Sequence, residues 1–195
     1  MKEQSNEPRQ DQIKQTVLKI IHKEGTRNLS IRRLAKETGS SEAAIFRHFA
    51  SKKEIILSIL EDVKSNLLEA LRKIALSDES PEERLRLLLC TTVRYMIANQ
   101  GITILLLSEG WHENDVDVKS DLNLIFHTQR GLMQRIVTDG ISKELWDPTL
   151  PLNSLTMMYM GIPVSLNMEI VLDRGIFDED TFCEEMYRLL LKLVK

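Results

Sequence analysis

The run Ser30-Ile31-Arg32-Arg33-Leu34-Ala35-Lys36-Glu37-Thr38-Gly39-Ser40-Ser41-Glu42-Ala43-Ala44-Ile45-Phe46-Arg47-His48-Phe49 decides how the amino-terminal part of this chain folds. Ser30 stands where an N-cap side chain accepts from a helix's first free amides, so 31–37 is predicted as a helix of about two turns. Thr38-Gly39-Ser40 breaks it, and Gly39 is the residue best able to take a left-handed turn there. Ser41 to His48 reads as another short helix, with Ala44, Ile45 and Phe49 turned inward. Upstream, Ile13, Val17, Ile20 and Ile21 recur at helical spacing over Arg9 to Glu24, and Gly25 stops that run. Three helices with a short Gly-bearing connection between the second and third form a helix-turn-helix signature.

Outward from this stretch the chain stays helical. A stripe from Ile55 through Leu71 predicts a long helix over Lys52 to Ser77, and Pro81 suits the first position of the next, to Asn99. The nearly apolar Ile102 to Trp111 is expected to be buried on most sides. A long helix is predicted over Val116 to Leu145, with Gly131 and Gly140 weakening its continuity. Another spans Leu152 to Leu172, which Pro163 must kink or divide, and the last runs from Asp178 to Val194. The expected fold is all-α, with about nine helices, a head at 1–53 and a body at 54–195. Composition agrees: 43% of the 195 residues are hydrophobic and 28% charged, while aromatics make up only 5%. That balance excludes a disordered chain and leaves sheets little to work with.

Charge separates by region. Net charge is −3, yet residues 1–53 hold 12 Lys or Arg against 6 Asp or Glu, net +6, and the remainder is net −9. A basic head on an acidic body suits a phosphate-binding module joined to a different kind of domain.

Other classes find no support. The opening residues lack the apolar core of a secretory signal, and no apolar run approaches the roughly 20 residues that span a bilayer, so a cytoplasmic protein is expected. Cys90 and Cys183 have neither a nearby Cys partner nor metal-ligand spacing and are read as buried thiols. His112 and His127, near Glu109, Glu113 and Asp115, lack zinc-site spacing, so no metal or other cofactor is expected. Nucleophile elbows, phosphate loops and catalytic triads are missing, which argues against an enzyme.

Gly25, Ser30-Ile31-Arg32-Arg33-Leu34-Ala35, Gly39-Ser40-Ser41, Ile45-Phe46-Arg47-His48-Phe49 and Ser51-Lys52-Lys53-Glu54 fall in order at spacings that resemble the TetR family of bacterial transcription regulators. The resemblance implies a three-helix DNA-binding head, a fourth linking helix, a ligand-binding body and a homodimer made by the last two helices. It also implies that the protein is a repressor released from a palindromic operator by its ligand. Arg47, His48 and Lys52 are similar to the family's backbone-contacting positions, although His48 also suits a core histidine. Phe46 stands where the family usually has Tyr, which keeps an apolar contact and loses a hydroxyl donor.

The residues themselves fit DNA. Ser40, Ser41, Ala43 and Ala44 are small or hydrogen-bonding, letting a recognition helix approach a major groove. Ser30 and Ser41 suit phosphate contact as well as plain capping. Arg32 points outward if Ile31, Leu34 and Ala35 face the core, and so serves a guanine edge, a phosphate or only solvent. Glu42 suits the helix dipole and is repelled by phosphates, so it either reads a cytosine or costs affinity. One head covers one half-site, and specific binding then demands two copies.

The body is rich in Met, whose flexible thioethers suit a pocket for a small hydrophobic or amphipathic effector. Candidate lining residues are Met96, Leu105, Trp111, Phe126, Met133, Met157 and Met160, with His127 or Arg130 meeting a polar end. The competing reading is a DNA-bound interaction protein of the same fold whose body binds another protein.

Overall fold

A computed structural model describes residues 7–100, 102, 105, 108, 115–172 and 178–195. Among these residues every regular element is helical, and no helix is long and apolar enough to cross a membrane. The chain divides into two compact units, one made of Met1–Asp62 with Asn99–Leu122, the other of Val63–Ala98 with Asn123–Lys195.

In the first unit, α1 (Glu7–Glu24) buries Ile13, Val17, Ile20 and Ile21 on one face. Gly25, at φ +78°, leads into a 3₁₀ turn, Thr26–Asn28. Helix α2 (Ile31–Glu37) starts at Ser30, whose hydroxyl accepts from the Arg33 amide at 3.1 Å. It ends in a turn closed by two amides: Gly39 N–H donates to the Lys36 carbonyl at 3.3 Å and Ser40 N–H to the Ala35 carbonyl at 2.8 Å. This Schellman arrangement needs a left-handed residue, and Gly39 supplies it at φ +62°. Helix α3 (Glu42–Phe46) is capped by Ser41, which accepts from the Ala44 amide at 3.1 Å. Leu34, Ala35, Ile45 and Phe49 lie in the core, so the turn geometry and the apolar pattern agree.

Helix α4 (Lys52–Asp62) begins with a reciprocal cap. Ser51 accepts from the Glu54 amide at 3.2 Å, and the Glu54 carboxylate reaches back to the Ala50 amide. Lys14 of α1 is buried and bridges Asp62, 2.6 Å away, and Asp11, 2.9 Å away. The helix predicted over Lys52 to Ser77 is not uniform: a π-helical turn, Val63–Leu68, separates α4 from α5 (Glu69–Ala75).

In the second unit, α6 (Pro81–Ala98) has Pro81 at its first position and Ser80 as its cap. Helix α7 (Val116–Ser142) is continuous through Gly131 and Gly140, and its residues from 123 onward belong to this unit. Helix α8 (Leu152–Val171) runs through Pro163 undivided, and α9 (Glu179–Val194) is capped by Asp178. Leu85, Leu88, Val93, Met133, Ile136, Val137, Tyr159 and Leu166 form its core. Tyr159 is fully buried, with its hydroxyl 3.1 Å from Thr92 Oγ1, and burial pushes its ionisation up to about 12.

The cysteines correct an expectation. Both are buried, but they are not separate thiols: Cys90 of α6 and Cys183 of α9 are disulfide-bonded, with Cα atoms 5.4 Å apart. They lie 93 residues apart in sequence, and the packing of α6 on α9 brings them together. Spacing along the chain carries no trace of that.

Candidate DNA-binding surface

Helix α3 turns Ile45 fully inward and leaves Ser41, Glu42, Ala43, Phe46 and Arg47 exposed. Glu42, Ala43, Phe46 and Arg47 follow the spacing of a single helical face. Phe46 is 49% exposed, an apolar ring on that outward surface. Ser30 and Arg32 are also exposed, while Ser40, Ala44, His48 and Lys52 are half-buried.

The cations of the head divide into two groups. Arg33 is held by Glu24 at 2.5 Å and Glu37 at 3.1 Å, and Lys14 by Asp11 and Asp62. Lys53 sits between Asp115, 2.9 Å away, and Asp117, 2.7 Å away. Arg32, Arg47 and Lys52 have no ion-pair partner among the described residues, so their charge is available to an external anion.

Ser30 and Ser41 both act as caps, each spending a lone pair on an amide of its own helix. A hydroxyl keeps its proton when it caps, so it can still donate to a phosphate oxygen. Ser40 is more engaged: its hydroxyl is 2.8 Å from Thr38 Oγ1 and also receives the Arg9 guanidinium. His48 presents its carbonyl to Gln10 Nε2 at 3.4 Å, and its ring Nδ1 is buried with no partner among the described residues.

Sequence reasoning missed Arg9 and Gln10. Both lie at the start of α1, and they contact the turn before α3 and His48, two residues past the end of α3. Arg9 also donates to the Thr38 carbonyl at 3.4 Å. One signal was present: a cation in the first helical turn opposes the helix dipole, so Arg9 needs another use.

Of the residues predicted to line an effector pocket, Met96, Leu105 and Met133 are buried. Met160 and Arg130 are half-buried, His127 is exposed, and Phe126 and Met157 are 36% and 73% exposed. Trp111 lies outside the described residues, as do Glu109, His112 and Glu113. No group of three metal-binding side chains converges among the described residues.

A capped helical pair joined by a Gly turn, with small residues and unpaired cations outward, forms a helix-turn-helix. Residues 16–59 match the family model for bacterial regulatory proteins of the tetR family. The match runs from within α1 to within α4 and so covers the helix-turn-helix.

The chain is 23% identical to the nucleoid occlusion factor SlmA of Vibrio cholerae across 96% of both proteins. Its 27% identity with the Aliivibrio fischeri SlmA proteins spans only 61% of their length. Among solved structures it is similar to the ketosteroid transcriptional regulator KstR2 of Mycobacterium tuberculosis, with a TM-score of 0.83 at 17% identity over 96% of this chain and 95% of that one. It is also similar to the transcriptional regulator FadR of Bacillus subtilis in complex with stearoyl-CoA, with a TM-score of 0.74 at 17% identity over 95% and 99%.

Proposed function

We propose that the protein is a homodimeric repressor that holds a palindromic operator through two heads and is released by a small hydrophobic or amphipathic effector. The observation that carries the DNA-binding part is the outward face of α3 with Arg32, Arg47 and Lys52 unpaired around it. Phosphate contacts from such cations set register, and the exposed positions of α3 read base edges.

The head is residues 1–53 and the body 54–195. The dimer forms through α8 and α9. Met157, Met158 and Met168 of α8, Leu172 at its C-cap, and Leu189 and Leu193 of α9 are 48% to 73% exposed. Beside them lies an open groove of about 350 Å³ lined by Met158, Ile162, Leu166, Phe182 and Met186. Apolar side chains exposed on two helices that share a groove suit an interface. The effector is taken by the body, whose interior mixes Met96 and Met133 with the buried polar side chains Thr92, Gln129, Thr156 and Asn167. Apolar walls with a few polar groups suit an amphipathic molecule. Likeness in fold to a regulator named for ketosteroids and to one in complex with stearoyl-CoA supports that class.

Release requires the effector to prefer a dimer whose heads no longer match the operator spacing. Fluorescence anisotropy on DNA upstream of the protein's own gene tests this, with acyl-CoA thioesters and steroids as the probe set. Binding that is specific and relieved by one of them is expected. Unchanged affinity throughout retires the effector and leaves the DNA-binding step standing.

A second reading draws on the alignment with SlmA of Vibrio cholerae, which spans head and body alike. In that reading the DNA-bound body of this chain engages another protein, and the signature is a saturable complex on DNA that no small molecule relieves.

A further inference from the structure

Two consecutive lysines open α4, in the turn where the helix dipole favours anions over cations. Lys52 is unpaired among the described residues, whereas Lys53 is held twice. Its ammonium lies 2.9 Å from Asp115 and 2.7 Å from Asp117, although Asp117 is 64 residues away in sequence. Two carboxylates on one ammonium more than cancel its charge. Asp115 is itself fixed, because it accepts from the Val118 amide at 3.3 Å as the cap of α7. The acceptors therefore belong to the start of a helix that runs on to Ser142 and carries Gln129, Arg130 and Met133 along its length.

Stability is a poor reason for this arrangement. The lysine side chain is 44% exposed and Asp117 68%, and ion pairs so open to water contribute little. What the pairing does change is which charge the first turn of α4 shows to an approaching phosphate. It hides one of two adjacent cations and sets two carboxylates beside the other.

We propose that Lys53 is a phosphate-contacting residue held in reserve, masked in the DNA-free protein by Asp115 and Asp117, so that the start of α7 gates one backbone contact of the head. The mask is in equilibrium with DNA, since phosphate oxygens compete for the same ammonium. Opening it costs little because the Lys53 ammonium and the Asp117 carboxylate are open to water. The hydrogen bonds it donates to Asp117 and Asp115 also hold the Lys53 amine above its ordinary range, so it meets either partner charged. This inference rests on the reading that the head binds DNA.

Phosphate contacts are independent of sequence, so the test uses a mixed-sequence duplex of roughly 30 base pairs over about 50 to 200 mM salt. Four proteins are compared: the wild type, D115N/D117N, K53Q and the triple variant. D115N/D117N is expected to bind several-fold tighter, with a slope of log affinity against log salt steeper by about 1 per bound subunit. K53Q costs several-fold more affinity in the D115N/D117N background than in the wild type. A gain that survives K53Q overturns the proposal, because it is then a bulk charge effect. Equal cost of K53Q in both backgrounds also overturns it, because Lys53 is then engaged with or without the mask.

A second readout needs no DNA. Acetic anhydride labelling of Lys53, followed by peptide mass spectrometry, is expected to be at least threefold faster in D115N/D117N, with Lys52 unaffected. Unchanged labelling of Lys53 shows that the ion pairs do not form in solution and overturns the proposal. If no duplex is retained even at low salt, the DNA-binding reading fails, while the labelling still decides the mask.

Discussion

The indole of Trp146 packs directly on the Cα of Gly140, so closely that a methyl group placed there would overlap the ring. Trp146 is 3% exposed, and Gly140 also lends its carbonyl to the Leu145 amide at 3.0 Å in the turn that ends α7. Large and small residues are matched across this turn.

Gly140→Ala is therefore expected to destabilise the protein by about 1–3 kcal/mol, the usual cost of overpacking a fixed ring. Four residues later the same turn needs a left-handed backbone, which Glu144 adopts at φ +57°. Glu144→Gly relieves it and should stabilise by about 1 kcal/mol. Urea denaturation of the two variants checks both signs.

Arg84 is buried and joins three segments of the body. One of its terminal nitrogens donates to the Ala75 carbonyl and to the Asp139 carboxylate, each at 2.9 Å. Asp139→Ala leaves that guanidinium without its counter-charge and is expected to cost about 3 kcal/mol. Arg84→Met combined with Asp139→Ala should cost less than Asp139→Ala alone, which a denaturation cycle of the three variants measures.

On the DNA side, Lys52→Ala should weaken binding uniformly across sequences and lower the salt slope by about 1 per subunit. Phe46→Tyr acts in the opposite direction. The ring is 49% exposed, so an added hydroxyl has room, and donation to a phosphate oxygen is expected to tighten binding by about 0.5–1.5 kcal/mol. Anisotropy titrations over a salt series distinguish the two.

Leu189→Glu tests the interface. Leu189 is 53% exposed on α9, so a monomer folds with the carboxylate in water, whereas a dimer through α8 and α9 must desolvate it. A mass shift from dimer to monomer in analytical ultracentrifugation, with an unchanged helical spectrum, is the expected result.

The pH dependence has two ends. Burial pulls the Lys14 amine down, but the hydrogen bonds it donates to Asp62 and Asp11 outweigh it and leave the value raised. The stability that Lys14 confers is complete below the ordinary lysine value and is lost as pH rises through its folded value. Asp178 behaves oppositely. The Thr181 hydroxyl and amide hold its carboxyl below the ordinary range, so its contribution is present above that range and disappears as pH falls through the folded value. Asp178→Asn keeps an N-cap acceptor and should flatten the acid limb, while Lys14→Met flattens the alkaline one, both read from melting curves across pH.

What the amino-acid order determined is the set of features made by groups within a turn of one another. Ser30, Ser41 and Asp178 cap helices, and Pro81 opens one, because a side-chain oxygen or a missing amide acts on residues three or four positions away. The Gly39 turn is equally local, and so the helix-turn-helix and the exposed face of α3 were legible from residue spacing. The tertiary structure decided what depends on which helix lies opposite. Periodicity marks an apolar stripe without saying what covers it, so Met157, expected in a pocket, stands exposed. Cys90 and Cys183, Arg9 and Ser40, and Lys53 with Asp115 and Asp117 are partners for the same reason. Each pair is brought together by packing between segments far apart in the chain, and the side chains that meet there follow no spacing rule along it.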